Sequence, residues 1–169
     1  MTRPIRPAQG RPINLIVIHC AASPNGRPQT VADINAWHRA RGFHRTAEFR
    51  ALQNPELDAI GYHFVITLNG AVHTGRHLDE IGAHVQSYNA KSLGVCLIGT
   101  DQFTIAQWSS LRYNIKLLQE RYPQARVADG QLFDTVEQLP RGPGFDVAAW
   151  LRADMAPLPG HVFAPSGDQ

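Results

Sequence analysis

Short apolar runs alternate along this chain with stripes of apolar residues at helical spacing. Leu15, Ile16, Val17 and Ile18 form an unbroken, mostly β-branched run that ends at His19 and Cys20. An apolar run without alternation is what a strand covered on both faces requires, so a buried strand is expected there. His19 then falls at the strand's C-terminal end, where open α/β sheets form their ligand crevices. Residues 93–98 predict a second covered strand. Residues 62–67 and 71–74, divided by Leu68, Asn69 and Gly70, read as a hairpin.

Helical signals lie between these runs. Thr30 reads as an N-cap with Asp33 in the first turn, Ile34 and Trp37 mark one face, and Gly42 is the stop. Thr104 with Gln107 forms a capping box, and Trp108, Leu111, Ile115, Leu118 and Tyr122 recur at helical spacing until Pro123. That stripe is core. A last helix is expected over 146–155. Residues 43–60 are weakly patterned, contain Pro55, and read as an irregular surface insertion with one short helix. Residues 1–12, with three prolines, predict a flexible arm, 13–155 the domain, and 156–169 a tail carrying His161. Strands alternating with helices give the fold class, a single α/β domain with a central mixed β-sheet flanked by helices.

Composition narrows the function classes. A chain of 169 residues, 43% of them hydrophobic, builds one ordinary core. The net charge of +2 is spread without runs, which argues against a nucleic-acid partner and suits an anionic polymer. Cys20 and Cys96 sit inside apolar runs and read as buried thiols. The first residues lack the apolar core of a signal peptide, and no 18 consecutive residues are apolar. The expectation is a monomer with no membrane partner, cytoplasmic in the producing cell and released only on lysis or by assisted export.

Several chemistries find no footing. There is no G-x-S-x-G elbow, and Cys20 beside His19 faces the other side of its strand. Asp79 and Glu80 read as solvated loop carboxylates, not a glycosidase pair. Gly61, Gly82 and Gly94 do not have phosphate-loop spacing.

Taken together, LIVIHCAASPNG, IGYHFVITLNG, IGAHVQSYN and KSLGVCLIGT resemble the N-acetylmuramoyl-L-alanine amidases of the bacteriophage-lysozyme and peptidoglycan-recognition-protein type. QWSSLRYNIKLLQERYP and PGFDVAAWL extend the likeness over most of 15–151. The resemblance implies a zinc hydrolase that cuts the amide between N-acetylmuramic acid (MurNAc) and L-alanine. Its zinc would be held by two histidines and a cysteine or aspartate, with one position open to water. His19 matches the first ligand. Tyr62 matches the tyrosine beside the zinc-bound water, where a phenol donates to a developing oxyanion. His84 matches a histidine of the substrate groove, followed by Tyr88 and Asn89, while His63 is expected to be a satisfied core or supporting histidine.

The resemblance fails where the metal site should close. The second histidine should come after the strand that succeeds the long helix, in a G-H-R-D-like stretch, and here ARVADGQLFDTVEQLPRGPGFDV stands in its place. On that register the histidine stretch reads as deleted, with Asp129, Gly130 and Glu137 matching the family residues C-terminal to it. Gly142 stands at the third-ligand position. Pro140 replaces the basic residue two positions earlier, with Arg141 displaced. One histidine does not make a zinc site. Asp129, Asp134 and Glu137 read as solvated carboxylates, and His161 would need the tail to fold back across the groove. The expectation is an amidase-fold protein that binds peptidoglycan or muropeptide, holds no cofactor and does not hydrolyse. One alternative is an active endolysin-like amidase with a non-standard zinc site. Another is a protein-binding inhibitor, for instance of a polymerase, for which the insertion at 43–60 is the motivating feature.

Overall fold

Strand β1 (Leu15–Cys20) lies between two parallel neighbours, β4 (Ser92–Leu97) and β5 (Arg126–Asp129). The structure, a computed structural model, describes residues 10–130 and 142–165. β2 (Phe64–Ile66) runs parallel to β4 on its other side, and β3 (Val72–Thr74) closes the edge antiparallel to β2. The order β3-β2-β4-β1-β5 makes the mixed sheet that the sequence predicts. Pleating sends alternate residues to opposite faces. Ile16, Ile18, Leu93, Val95, Leu97 and Ile66 pack towards Trp108, Leu111 and Ile115 of the long helix α3 (Ile105–Arg121). On the other face Val65, Cys96, Ile98 and Tyr62 pack with Ile34 of α1 (Val31–Ala40).

The helix starts obey local chemistry. Thr30 and Asp33 form a reciprocal capping box on α1, and Thr104 and Gln107 form another on α3. The last helix, α4 (Val147–Arg152), is shorter than the 146–155 expected, because Asp154 and Met155 turn the chain at positive φ. The hairpin strands are shorter as well: Tyr62 and His63 precede β2 rather than open it.

The insertion at 43–60 carries its one short helix, α2 (Ala47–Leu52), but it is not merely a surface excursion. Leu57, Ala59 and Ile60 are buried. Its anchor is Arg45, whose buried guanidinium donates to the carbonyls of Phe49, Gln53, Asn54 and Leu57 and to both oxygens of Glu80. This corrects the reading of Glu80 as a solvated carboxylate: the chain buries it because Arg45 and Arg76 neutralise it there. Asp79 does stay exposed.

The described part of the tail packs on the start of α3. Phe103 donates its N–H to His161 O, Phe163 donates back to Phe103 O, and the Trp108 indole donates to His161 O. Gly26, at φ +75°, makes room for the Phe163 ring; a Cβ there would overlap it.

Candidate functional site

Four buried rings converge where β1 ends. His19 stands in register with Cys96 on the α1 face of the sheet and is 1% exposed. Its Nε2 lies 3.0 Å from His84 Nδ1, with the rings perpendicular and their centroids 5.1 Å apart. Tyr62 lies 5.2 Å from the His19 ring and 5.1 Å from the ring of His38 on α1, centroid to centroid.

Each ring is positioned by identifiable contacts. His84 sits in the loop after β3, and its own N–H and that of Val85 both donate to Asn89 Oδ1. Its Nε2 pairs with Ser92 Oγ at 3.2 Å, and its ring lies over Gly94, where a Cβ would crowd it. Burial holds its pKa well below the ordinary value, and the neighbouring His19 and His63 add to that. Asn89, expected to contact substrate, thus spends its carboxamide oxygen on shaping the loop that carries His84. Tyr88 is 45% exposed beside it.

His63 accepts from Gly94 N–H at Nδ1, which puts its proton on Nε2, and that nitrogen donates to Glu80 O at 2.8 Å. Burial lowers its pKa to about 3, so it is a neutral supporting histidine. Tyr62 differs from its neighbours. Its hydroxyl is buried and, among the described residues, no nitrogen or oxygen lies in hydrogen-bonding position to it. Its polar neighbour is the Cys96 thiol, a weak partner that also lies 3.8 Å from Leu97 O. Burial, and after it repulsion from Cys96 and Cys20 in their thiolate forms, pushes the phenol well above its ordinary pKa, so it remains a donor.

His38 is a site residue that the sequence pattern does not single out. Ile34 and Trp37 predict the inner face of α1, but Trp37 is 39% exposed and the buried side is Ile34, Asn35 and His38. The i, i+4 spacing of Ile34 and His38 is the signal that could have found it. His38 Nδ1 accepts from Gly61 N–H at 2.8 Å. Its pKa falls to about 3, mainly through burial and then through Arg41, Arg76 and His19.

The remaining sequence candidates lie elsewhere. Asp129 pairs in register with Ile18, so it projects from the sheet face opposite His19. Gly142 accepts from Cys20 Sγ through its carbonyl and has no side chain to offer. His161 Nδ1 bonds to Asp101 O and its ring packs near Phe145, on the α3 side. Asp134, Glu137, Pro140 and Arg141 fall outside the described residues. Among those described, no group of three or more His, Cys, Asp or Glu side chains could hold a metal ion. A catalytic zinc needs three protein donors, and the donor set described here does not fit one. A separate cavity of ≈ 850 Å³ beside the N-terminus of α1 is lined by Val31, Leu57, Leu68, Val72 and His73 among others, and by none of His19, Tyr62 and His84.

The fold and site define a class, and comparison with known proteins identifies it. The N-acetylmuramoyl-L-alanine amidase profile matches residues 9–137, and the chain belongs to that family. It is 31% identical over 144 residues to the endolysin of Enterobacteria phage K11, covering 80% of this chain and 83% of that one. Among solved structures it resembles the N-acetylmuramoyl-L-alanine amidase LysC of Clostridium intestinale URNW, with a TM-score of 0.66 and 23% identity over 86% of this chain and 87% of that one. It also resembles the peptidoglycan recognition proteins LCa and LCx, whose ectodomain complex was solved with tracheal cytotoxin bound, with a TM-score of 0.54 and 25% identity over 83% and 82% of the two chains. No helix among the described residues is long and apolar enough to cross a membrane.

Proposed function

We propose that this protein binds the muropeptide segment around the MurNAc–L-alanine amide at the His19, Tyr62 and His84 site, and that it does not hydrolyse that bond. The observation that carries the reading is the Tyr62 hydroxyl. A buried hydroxyl without a partner costs about 1–3 kcal/mol, a cost that a ligand acceptor would remove. Such a group suits the amide carbonyl of a muropeptide, and the relatives crystallised with tracheal cytotoxin support that ligand class. Against hydrolysis stand the missing side chain at Gly142, the orientation of Asp129 and the engagement of His19 Nε2 with His84.

The likeness to a phage endolysin favours a second reading, a wall hydrolase that uses a different set of metal donors. Two assays separate them. Calorimetry with MurNAc-L-Ala-D-isoglutamine is expected to show binding without added metal, and purified sacculi with zinc are expected to release no peptide. Absence of binding would sink the first reading. Zinc-dependent release would establish the second.

A further inference from the structure

Among the described residues the Tyr62 hydroxyl meets no nitrogen or oxygen, only the weakly bonding Cys96 thiol, so its place depends on its backbone and on the rings around it. The backbone leading into it belongs to no strand, since β2 begins only at Phe64. Tyr62 O accepts from Arg76 N–H, but the N–H groups of the stretch leading into it end on side chains. The Oδ1 of Asn35, a residue 3% exposed on α1, accepts from both Ala59 N–H and Ile60 N–H at 2.8 Å. Backbone N–H groups only donate, so the atom facing both is the oxygen, and its two lone pairs are filled. Asn35 Nδ2 donates to Asp58 Oδ1 at 2.8 Å, and Asp58 is gripped in turn by Arg39. One turn further along α1, His38 Nδ1 takes Gly61 N–H. Three successive N–H groups, at 59, 60 and 61, therefore end on two side chains of one helix face. On the carbonyl side, Arg76 Nε donates to Ile60 O and Ala83 N–H to Gly61 O.

We infer that Asn35 is the positioning residue for Tyr62: its one carboxamide replaces a strand partner for Ala59 and Ile60 and so sets the phenol over His19. The inference rests on the reading of Tyr62 as a ligand-binding group. It also gives the insertion at 43–60 a role, because Asp58, at its end, is the acceptor that fixes the orientation of the Asn35 amide.

The test has a ligand-free arm and a ligand arm. With ring-¹³C tyrosine in the full chain, Asn35→Ala is expected to shift or broaden Tyr62 alone, leaving Tyr88, Tyr113 and Tyr122 unmoved. The exchange Asn35→Asp with Asp58→Asn keeps both acceptances and reverses the Asn35–Asp58 bond, so it is expected to restore the Tyr62 signal. An unmoved Tyr62 in Asn35→Ala, a general shift of all four tyrosines, or a displaced signal in the folded exchange variant overturns the inference. Should neither variant fold, amide exchange in the unaltered protein decides. Ala59 and Ile60 are expected to be protected, and exchange as fast as that of the exposed Glu56 overturns the inference.

In the ligand arm, Asn35→Ala is expected to weaken binding of MurNAc-L-Ala-D-isoglutamine about tenfold. In a Tyr62→Phe background the same change is expected to cost about twofold or less, because the phenol it serves is gone. Equal losses in both backgrounds would show a merely structural asparagine. No binding by the unaltered protein would sink the ligand reading alone, and the ring signals would still decide the role of Asn35.

Discussion

His19 Nε2 and His84 Nδ1 face each other at 3.0 Å, and only one of the two nitrogens carries a proton in that bond. A metal at His19 Nε2 would have to break the pair, and no set of three donors among the described residues would offset the loss. The purified protein is therefore expected to carry well under one zinc per chain by elemental analysis. A chelator is expected to leave its melting temperature unchanged. A site filled to 100 times its Kd would add about 2.7 kcal/mol to stability, so a real one would appear as a clear drop on chelation.

Tyr62→Phe should separate stability from binding. Removing a buried hydroxyl without a partner leaves the core intact and is expected to stabilise the fold by about 1 kcal/mol. The same change removes the donor proposed for the ligand carbonyl and is expected to weaken muropeptide binding, as is His84→Ala. Destabilisation by Tyr62→Phe would mean that the hydroxyl already has a partner. Unchanged binding in both variants would mean that the site is vestigial.

The contrast between Tyr62 and Asn35 shows which features are legible in a sequence. β1, β4 and the two capping boxes are readable because their signals are local: an apolar run, or a threonine three residues before an acceptor. Tyr62, His19 and His84 stand out by resemblance to a motif, and the fold brings all three together. Asn35 is invisible because its partners at 58, 59 and 60 lie more than twenty positions away, across an insertion without periodicity. Arg45 and Glu80, 35 positions apart, are hidden for the same reason. A charged residue in a polar stretch looks solvated until the fold supplies its partner.

His38 and His63 make stability depend on pH. Burial lowers both from 6.5 to about 3, so the folded chain keeps them neutral. Below pH 6.5 the unfolded chain takes up protons that the folded chain refuses. Stability is thus complete above that pH and falls as the pH drops towards 3. Each group contributes about 1.4 kcal/mol per pH unit, about 3 kcal/mol for the pair. Melting temperatures are expected to be level above pH 7 and to fall steeply between pH 6 and 4. A flat profile down to pH 4.5 would mean that these rings are not held neutral. The Asp58 carboxyl, held below the usual range by Arg39 and then Asn35, adds loss only at lower pH.

Arg45 and Arg39 both pair with carboxylates, and burial decides which pair matters. The Arg45 side chain is 0% exposed, and Arg45→Ala would leave the buried Glu80 with Arg76 alone and lose the carbonyl contacts of the insertion, at a cost of about 3 kcal/mol. The Arg39 side chain is 56% exposed, so water already screens its pair with Asp58 and Arg39→Ala should matter far less to the melting temperature. Equal losses in denaturant titrations of the two variants would contradict this ranking.

Hydrolysis is the sharpest test of the site. The resemblance implies amide cleavage by a zinc-held water, and the described donors supply one histidine, already paired with His84. Tyr62 by itself polarises a carbonyl without delivering a nucleophile. Purified walls incubated with the protein and zinc are therefore expected to release no more L-alanine-bearing peptide than buffer does. Gly142→Cys should not rescue activity. It adds at most one thiolate to His19 where three donors are needed, and Asp129 cannot serve because its register with Ile18 turns it to the opposite face of the sheet. Grafting a histidine-bearing stretch after Val127 together with Gly142→Cys is the smallest change expected to yield zinc-dependent release. Release by the unaltered protein, abolished by His19→Ala, would instead establish a working amidase with replacement donors.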